Sequence, residues 1–304
     1  MASLINEIYR LHPELKQDHT KLTMVAVNAA DDEVIKSVQQ VIDETTMNVI
    51  LLGDEKEIES VLENYSLDPS RYSIESVSSD EESAFKAVEL VRQGKADIIL
   101  KGHIGTGTLL KQVVNKETGI RDKDVLTHVA VLYVPTLKRL VAISDGGLVL
   151  EPDEKSGKVV IENAVKVMKH LLNKPLKVAL LSAAEQVIPK LASSVIEEQL
   201  AKELTIENTI IEGPLSIDIS LVPDIAKEKD YRGEIQGDAD ILYAPDISTG
   251  NILSKTLILF GGAQMAGVIM GAKVPIVVTS RSSSADEKFA SVLLSQIMMK
   301  GDSQ

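Results

Sequence analysis

Three stretches of this 304-residue chain combine residue types that hold anions or move protons. The first runs Ile98-Ile99-Leu100-Lys101-Gly102-His103-Ile104-Gly105-Thr106-Gly107-Thr108. A buried-strand pattern enters a turn rich in Gly and Thr, and helical spacing follows at Leu109, Leu110 and Val113. Backbone N–H groups at a helix start, with a lysine beside them, form an anion site. Known phosphate loops fit only in part. Gly102-x-x-x-x-Gly107 has the Walker spacing, but Thr108-Leu109 stands where Lys-Ser/Thr is needed. Gly105-x-Gly107 lacks the third glycine of a dinucleotide loop, because position 110 is Leu. The plain alternative is an ordinary strand-to-helix turn.

The second stretch is Val277-Val278-Thr279-Ser280-Arg281-Ser282-Ser283-Ser284-Ala285-Asp286-Glu287. A strand delivers Ser280 and Arg281 to the carboxyl edge of a sheet, where α/β proteins bind ligands. Arginine offers a planar fork that suits phosphate oxygens. Ser284-x-x-Glu287 and Ser283-x-x-Asp286 also read as competing capping boxes, and whichever carboxylate does not cap is left for chemistry. The third stretch is Ala244-Pro245-Asp246-Ile247-Ser248-Thr249-Gly250-Asn251-Ile252-Leu253-Ser254-Lys255. A strand ends, a polar turn follows, and a helix is expected to start with Asn251 as its cap. Lys255 falls one turn on, on the same face. Lesser features are His128 in an apolar strand, more often a core or edge residue, and Asp145-Gly146-Gly147, most simply a hairpin turn.

The elements that carry these stretches follow two periodicities. Val34, Ile35, Val38, Val41 and Ile42 have helical spacing behind Asp31 and Asp32. Short apolar runs at 48–53, 72–77 and 96–102 read as strands, with helices between them at Ile58–Tyr65 and behind a Ser79–Glu82 capping box. Strand–helix alternation with near-continuous apolar strands predicts a parallel sheet covered on both faces. The pattern shifts near Val125. Two strands, 125–134 and 137–144, follow each other with no helix between them. Helices are then expected around 161–172, 193–203 and 220–229, and strands at 176–181, 209–212 and 239–244. Helix material is expected from Gly250 to Gly271, then a strand over 274–279 and a last helix over 284–299. These expectations divide the chain into a first α/β domain, 1–126 plus 272–304, and a second, 127–271.

Composition narrows the chemistry. A net charge of −13 argues against general binding to nucleic acid or to an anionic membrane. Any anionic ligand then needs a local basic pocket. The absence of cysteine removes disulfides, thiolate metal sites and cysteine nucleophiles together. With no Trp and only 3% aromatic residues, a stacking platform for single strands is not expected. The histidines and carboxylates show no metal-ligand spacing. Glu7 and Arg10 interrupt the start where an export signal would be apolar, and the uncharged run 256–272 is shorter than the ~20 residues of a membrane span. A cytoplasmic protein is expected.

Taken together, the three stretches resemble the phosphate acyltransferase family, which includes phosphate acetyltransferases and phosphate butyryltransferases. The resemblance spans nearly the whole chain. It is carried in order by LLKQVVNKETGIR (109–121), LTHVAVLYVP (126–135), SDGGLVLEPD (144–153), EGPLSIDISLVPDIA (212–226), PDISTGNILSK (245–255) and VVTSRSSSADEK (277–288). The length, Lys101-Gly102 and Leu126-Thr127-His128 resemble the butyryl branch more than the acetyl branch. In the acetyl branch a Gly follows the Ser-Arg pair, where this chain has Ser282.

The resemblance implies reversible transfer of a short acyl group, butyryl or similar, between CoA and inorganic phosphate. The partners implied are acyl-CoA, phosphate and acyl phosphate, with CoA as a substrate and no tightly bound cofactor. It also implies a two-domain α/β fold similar to isocitrate and isopropylmalate dehydrogenases, an active site in the interdomain cleft, and a homodimer. The family's Ser-Arg pair falls on Ser280 and Arg281. Its carboxylate falls on Asp286, with Glu287 the alternative because the acidic position shifts by one residue among branches. Lys101, Gly102, Thr106, Thr108, His128, Asn251 and Lys255 fall on substrate-binding positions. Arg281 and the bend after Lys101 are expected to face one crevice.

In the direction that releases CoA, a phosphate oxygen attacks the thioester carbonyl and a thiolate leaves. In reverse, a thiol of pKa ~8.5 must lose its proton, which a base with a positive neighbour assists. Three other readings compete. One is a phosphate acetyltransferase. Another is an NAD-dependent decarboxylating dehydrogenase on the related fold, disfavoured by the missing cluster of metal-binding Asp residues. The last is a non-catalytic CoA or acyl-phosphate sensor.

Overall fold

The computed structural model describes residues 3–17, 20–280 and 283–301. The described residues fall into two compact units, one drawn from Ile5–Asp124 and Ala266–Gln304, the other from Met1–Leu4 and Val125–Met265. In chain order, α1 (Leu4–Leu11) precedes β1 (Thr23–Val27), α2 (Asp32–Glu44), β2 (Asn48–Gly53), α3 (Glu55–Leu62), β3 (Tyr72–Ser76), α4 (Asp80–Arg92), β4 (Ile98–Lys101) and α5 (Thr106–Val113). The second unit follows with β5 (Thr127–Val134), β6 (Arg139–Ser144), α6 (Glu154–Leu172), β7 (Leu176–Leu181), α7 (Ala192–Glu203), β8 (Thr209–Leu215), α8 (Ile217–Leu221), α9 (Pro223–Glu228), β9 (Ile241–Tyr243) and α10 (Ile247–Leu259). The chain ends with β10 (Gln264–Met270), β11 (Ile276–Val277) and α11 (Ala285–Gly301).

In the first unit the strand order is β3-β2-β1-β4-β11-β10. All pairs are parallel except β11 with β10. β1 and β4 are almost wholly buried aliphatic runs, as a sheet covered on both faces requires. α2 starts where the Asp31 carboxylate accepts the Val34 amide at 3.0 Å. Ser79 caps α4 through the Glu82 amide at 3.2 Å, but the expected capping box is only half formed. The Glu82 carboxylate turns to the Ser78 amide and hydroxyl instead, at 2.7 and 2.6 Å.

In the second unit the order is β5-β6-β9-β7-β8, with β5 and β6 an antiparallel hairpin and the remaining pairs parallel. That hairpin explains two successive strands without a helix. Its turn lies at 135–138, where Lys138 takes a φ of 52°. Leu132, Val141, Ile143 and Leu242 form part of one buried cluster.

Several expectations need correction. Asp145-Gly146-Gly147 is no hairpin turn, because β6 runs on toward α6 rather than back along itself. The helix expected over 250–271 ends at Leu259, and Gln264–Met270 is strand β10. Gly261 and Gly262, the latter at φ +63°, stop the helix, and the aliphatic run beyond them extends into the sheet. The helix expected over 220–229 is divided, since Pro223 opens α9 as its first residue and cannot continue α8. The 274–279 strand shortens to Ile276–Val277 behind Pro275.

Candidate active site

The Lys101 bend begins inside the sheet of the first unit. Lys101 is only 6% exposed, and its ammonium donates to the Gly102 carbonyl at 3.1 Å. Position 102 must be glycine, because a Cβ there would lie 2.4 Å from the carbonyl oxygens of both Val27 and Asn28. This close approach is stitched by Gly102 N–H to Val27 O at 2.8 Å and His103 N–H to Asn28 O at 3.0 Å. α5 then starts at Thr106 behind Gly105, which supplies no side-chain cap. The first-turn N–H groups of such a helix have no intrahelical acceptor and carry the positive end of its dipole, so they suit an anion. Thr106 and Thr108 sit in that turn, half-buried.

Ser280 leaves the same edge of the same sheet. β11 pairs in parallel with β4, with Ile276 opposite Ile99 and Val277 opposite Leu100. Thr279 is buried and Ser280 exposed. Arg281 lies outside the described residues. On the far side of it, the Ser283 amide donates to the Ser280 carbonyl at 3.1 Å. The Ser284 hydroxyl accepts the Glu287 amide at 3.3 Å, so of the two capping frames the one from Ser284 is used. Asp286 is exposed and accepts a hydrogen bond from Gln40 Nε2 at 2.7 Å. Glu33 takes the Ala285 amide at 2.6 Å.

Sequence reading missed the residues that support these loops. Asn28 has a φ of 51°, and its side-chain amide donates to Asp80 at 2.5 Å and to the His103 carbonyl at 3.4 Å. Asp31 lies 3.8 Å from His103 Nδ1. A pocket of about 390 Å³ opens beside this bend, lined by Asn28, Gly53, Asp54, Ser78, Asp80 and His103 among others. The one sequence signal was the run Asn28-Ala29-Ala30-Asp31-Asp32 directly after a strand. Gln40 and Glu33 gave none, since they belong to a helix whose partner is remote in sequence.

In the second unit, His128, Asn251 and the Asp145 turn form one contiguous group. The Asp145 carboxylate is buried and accepts the amides of His128, Gly147 and Leu148 at 2.6, 2.6 and 2.8 Å. His128 Nδ1 is buried without a hydrogen-bond partner. Burial pushes its pKa below the ordinary 6.5, against the pull of the Asp145 charge, and keeps the ring neutral. A Cβ on Gly147 would lie 3.1 Å from the His128 side chain, and one on Gly146 only 2.7 Å from Gly250. Asn251 does not cap α10. Asp246 does, accepting the Thr249 amide and hydroxyl at 2.8 and 2.7 Å. Asn251 lies inside the helix and donates to the Gly146 carbonyl at 3.0 Å. Lys255 is exposed one turn further along. Among the described residues, no group of three or more His, Asp or Glu is gathered as a metal would need, and no helix is long and apolar enough to cross a membrane.

Two parallel strands, β4 and β11, end at one sheet edge, one in the Lys101 bend and the other just before Ser280, which is the frame of an α/β protein with polar loops at the carboxyl ends of its strands. Residues 74–296 match the family described as phosphate acetyl/butaryl transferase, and the chain belongs to that family. It is 37% identical over 279 residues to a probable phosphate butyryltransferase of Bacillus subtilis, covering 91% of this chain and 93% of that one. A branched-chain phosphotransacylase from Enterococcus faecalis V583 superposes with a TM-score of 0.81 at 33% identity, covering 91% of this chain and 99% of that one. A putative 4-hydroxythreonine-4-phosphate dehydrogenase from Salmonella typhimurium shares the fold alone, with a TM-score of 0.52 at 13% identity over 92% of this chain and all of that one. The expected two-domain, dehydrogenase-like α/β fold is therefore present.

Proposed function

We propose that this protein catalyses reversible acyl transfer between CoA and inorganic phosphate, with butyryl or a similar short chain as the acyl group. The observation that carries the reading is the parallel register of Leu100 with Val277, which starts the Lys101 bend and the Ser280 segment side by side. In our reading, Lys101, Thr106, Thr108 and the backbone from Gly102 bind phosphate, and Arg281 grips it with its planar fork. A phosphate oxygen attacks the thioester carbonyl, and the Ser280 hydroxyl donates to the oxygen that becomes negative. The carbon–sulfur bond breaks and the proton lost by phosphate ends on the CoA sulfur. Asp286 carries that proton, with Glu287 the alternative carrier. In reverse, the same carboxylate removes the thiol proton. His128, Asn251 and Lys255 bind substrate, His128 as a neutral ring. Holding both substrates together supplies proximity, so no covalent enzyme intermediate is invoked. The broken bond is carbon–sulfur rather than phosphorus–oxygen, and we assign no tightly bound cofactor.

We assign the enzyme to the cytoplasm and to a homodimer. Ile252, Leu259 and Phe260 on and beside α10 are 65%, 74% and 86% exposed, and an apolar face of that kind suits a partner copy. The deciding experiment follows free thiol from purified protein with C2 to C5 acyl-CoAs. Thiol release that needs both acyl-CoA and phosphate, fastest at C4, is the expected result. No phosphate-dependent release at any chain length would reject the reading. A maximum at C2 would replace butyryl with acetyl.

A further inference from the structure

Lys288 is the anomaly of the last helix. From Lys288 to Met298 every residue of α11 is buried, and Lys288 itself is 4% exposed. An apolar side chain of similar length would fill this position without bringing a charge into the interior. Burial does push the lysine pKa below its usual value, against the pull of Asp31, Glu33 and Glu287. Those three carboxylates are what make a buried ammonium tenable here.

The ammonium donates to the carbonyl of Ser283 at 2.5 Å. Ser283 is also 4% exposed, and its own amide donates to the Ser280 carbonyl at 3.1 Å. Two hydrogen bonds in series thus connect a buried charge to the backbone on both sides of Arg281. The far end of the segment is held as well, because Glu33 of α2 accepts the Ala285 amide and Gln40 bonds Asp286. Charge-assisted hydrogen bonds are shorter and about twice as strong as neutral ones, which suits a brace.

We propose that Lys288 is a positioning residue for the acyl-transfer reaction, its ammonium fixing the Ser283 carbonyl and, through the bond from the Ser283 amide to the Ser280 carbonyl, the two described residues that flank the proposed phosphate-gripping position in the sequence. This rests on the function proposed above. The test compares kcat, and KM for phosphate and for butyryl-CoA separately, in the parent, K288M and K288R, with thermal stability measured alongside. K288M is expected to raise the phosphate KM about tenfold or more while the butyryl-CoA KM changes little. K288R keeps the charge on a different donor geometry and is expected to show a smaller rise in the same constant. Should K288M not fold, K288R alone carries the test. Transfer in the parent with the phosphate KM unmoved in the folded variants, any loss of kcat following lost stability, overturns the positioning role and leaves the proposed function standing. No transfer in the parent overturns both.

Discussion

Val277 stands opposite Leu100 in a parallel strand pair, and the chemistry proposed for this protein depends on that pairing. Each strand ends within a few residues of a polar loop, so their register sets the spacing of Lys101 and Ser280. Ser280 is exposed, and its removal opens no cavity. We expect Ser280→Ala to lower kcat by ~10²–10³, the range for loss of one oxyanion donor, with the melting temperature little changed. Steady-state kinetics beside a thermal melt checks this. Full activity in the variant would remove the hydroxyl from the mechanism.

Gly102 is the position where the fold and the proposed phosphate site meet. A methyl group there would sit 2.4 Å from two backbone oxygens, those of Val27 at the end of β1 and Asn28 just after it. Gly102→Ala is expected to cost about 1–3 kcal/mol or more, because backbone has to move to admit it. It should also raise the phosphate KM, since the bend after Lys101 shifts with it. Urea titration and phosphate-dependent rates test both parts, and a variant as stable as the parent contradicts the contact.

Glu197 lies on α7, fully buried, with the Ser182 hydroxyl as its one weak polar neighbour, whose pull on the pKa is smaller than that of burial. Burial pushes its pKa up to about 7 from 4.5. The folded state therefore holds the proton more tightly than the unfolded chain does. Stability from this group is full below pH 4.5 and is lost as pH rises toward 7. Between pH 5 and 8 the parent should lose about 2–3 kcal/mol that Glu197→Gln does not lose. Unfolding curves across that range decide the matter. A stability difference independent of pH would refute the assignment.

His128 has the opposite sign. Its pKa is lowered by burial, so the unfolded chain takes up the proton first, and its contribution falls as pH drops below 6.5. Imidazole resonances followed by NMR should show His128 titrating below the ordinary 6.5. A normal titration near 6.5 would mean that the ring is solvated and not the neutral group that the substrate-binding role assumes.

Much of this was legible in the amino-acid order alone. Strand–helix alternation, the caps at Asp31 and Ser79, and the residue types of the Lys101 and Ser280 stretches are local properties, set by side-chain periodicity and short-range hydrogen bonding. So was the family resemblance, because its motifs are contiguous strings. Tertiary structure decided the rest. Polar neighbours make Asn251 look like a cap, whereas Asp246 starts the helix and Asn251 is turned to a carbonyl brought in by the Asp145 turn. The uncharged run Gln264–Met270 has no period of its own that separates strand from helix, and strand pairing, with β11 among its partners, decides it. Glu33, Gln40 and Lys288 look like the polar positions of any helix until α2 and α11 come together. Local order in the chain determines which residues are available, but hydrogen bonds between distant segments determine which of them face one another.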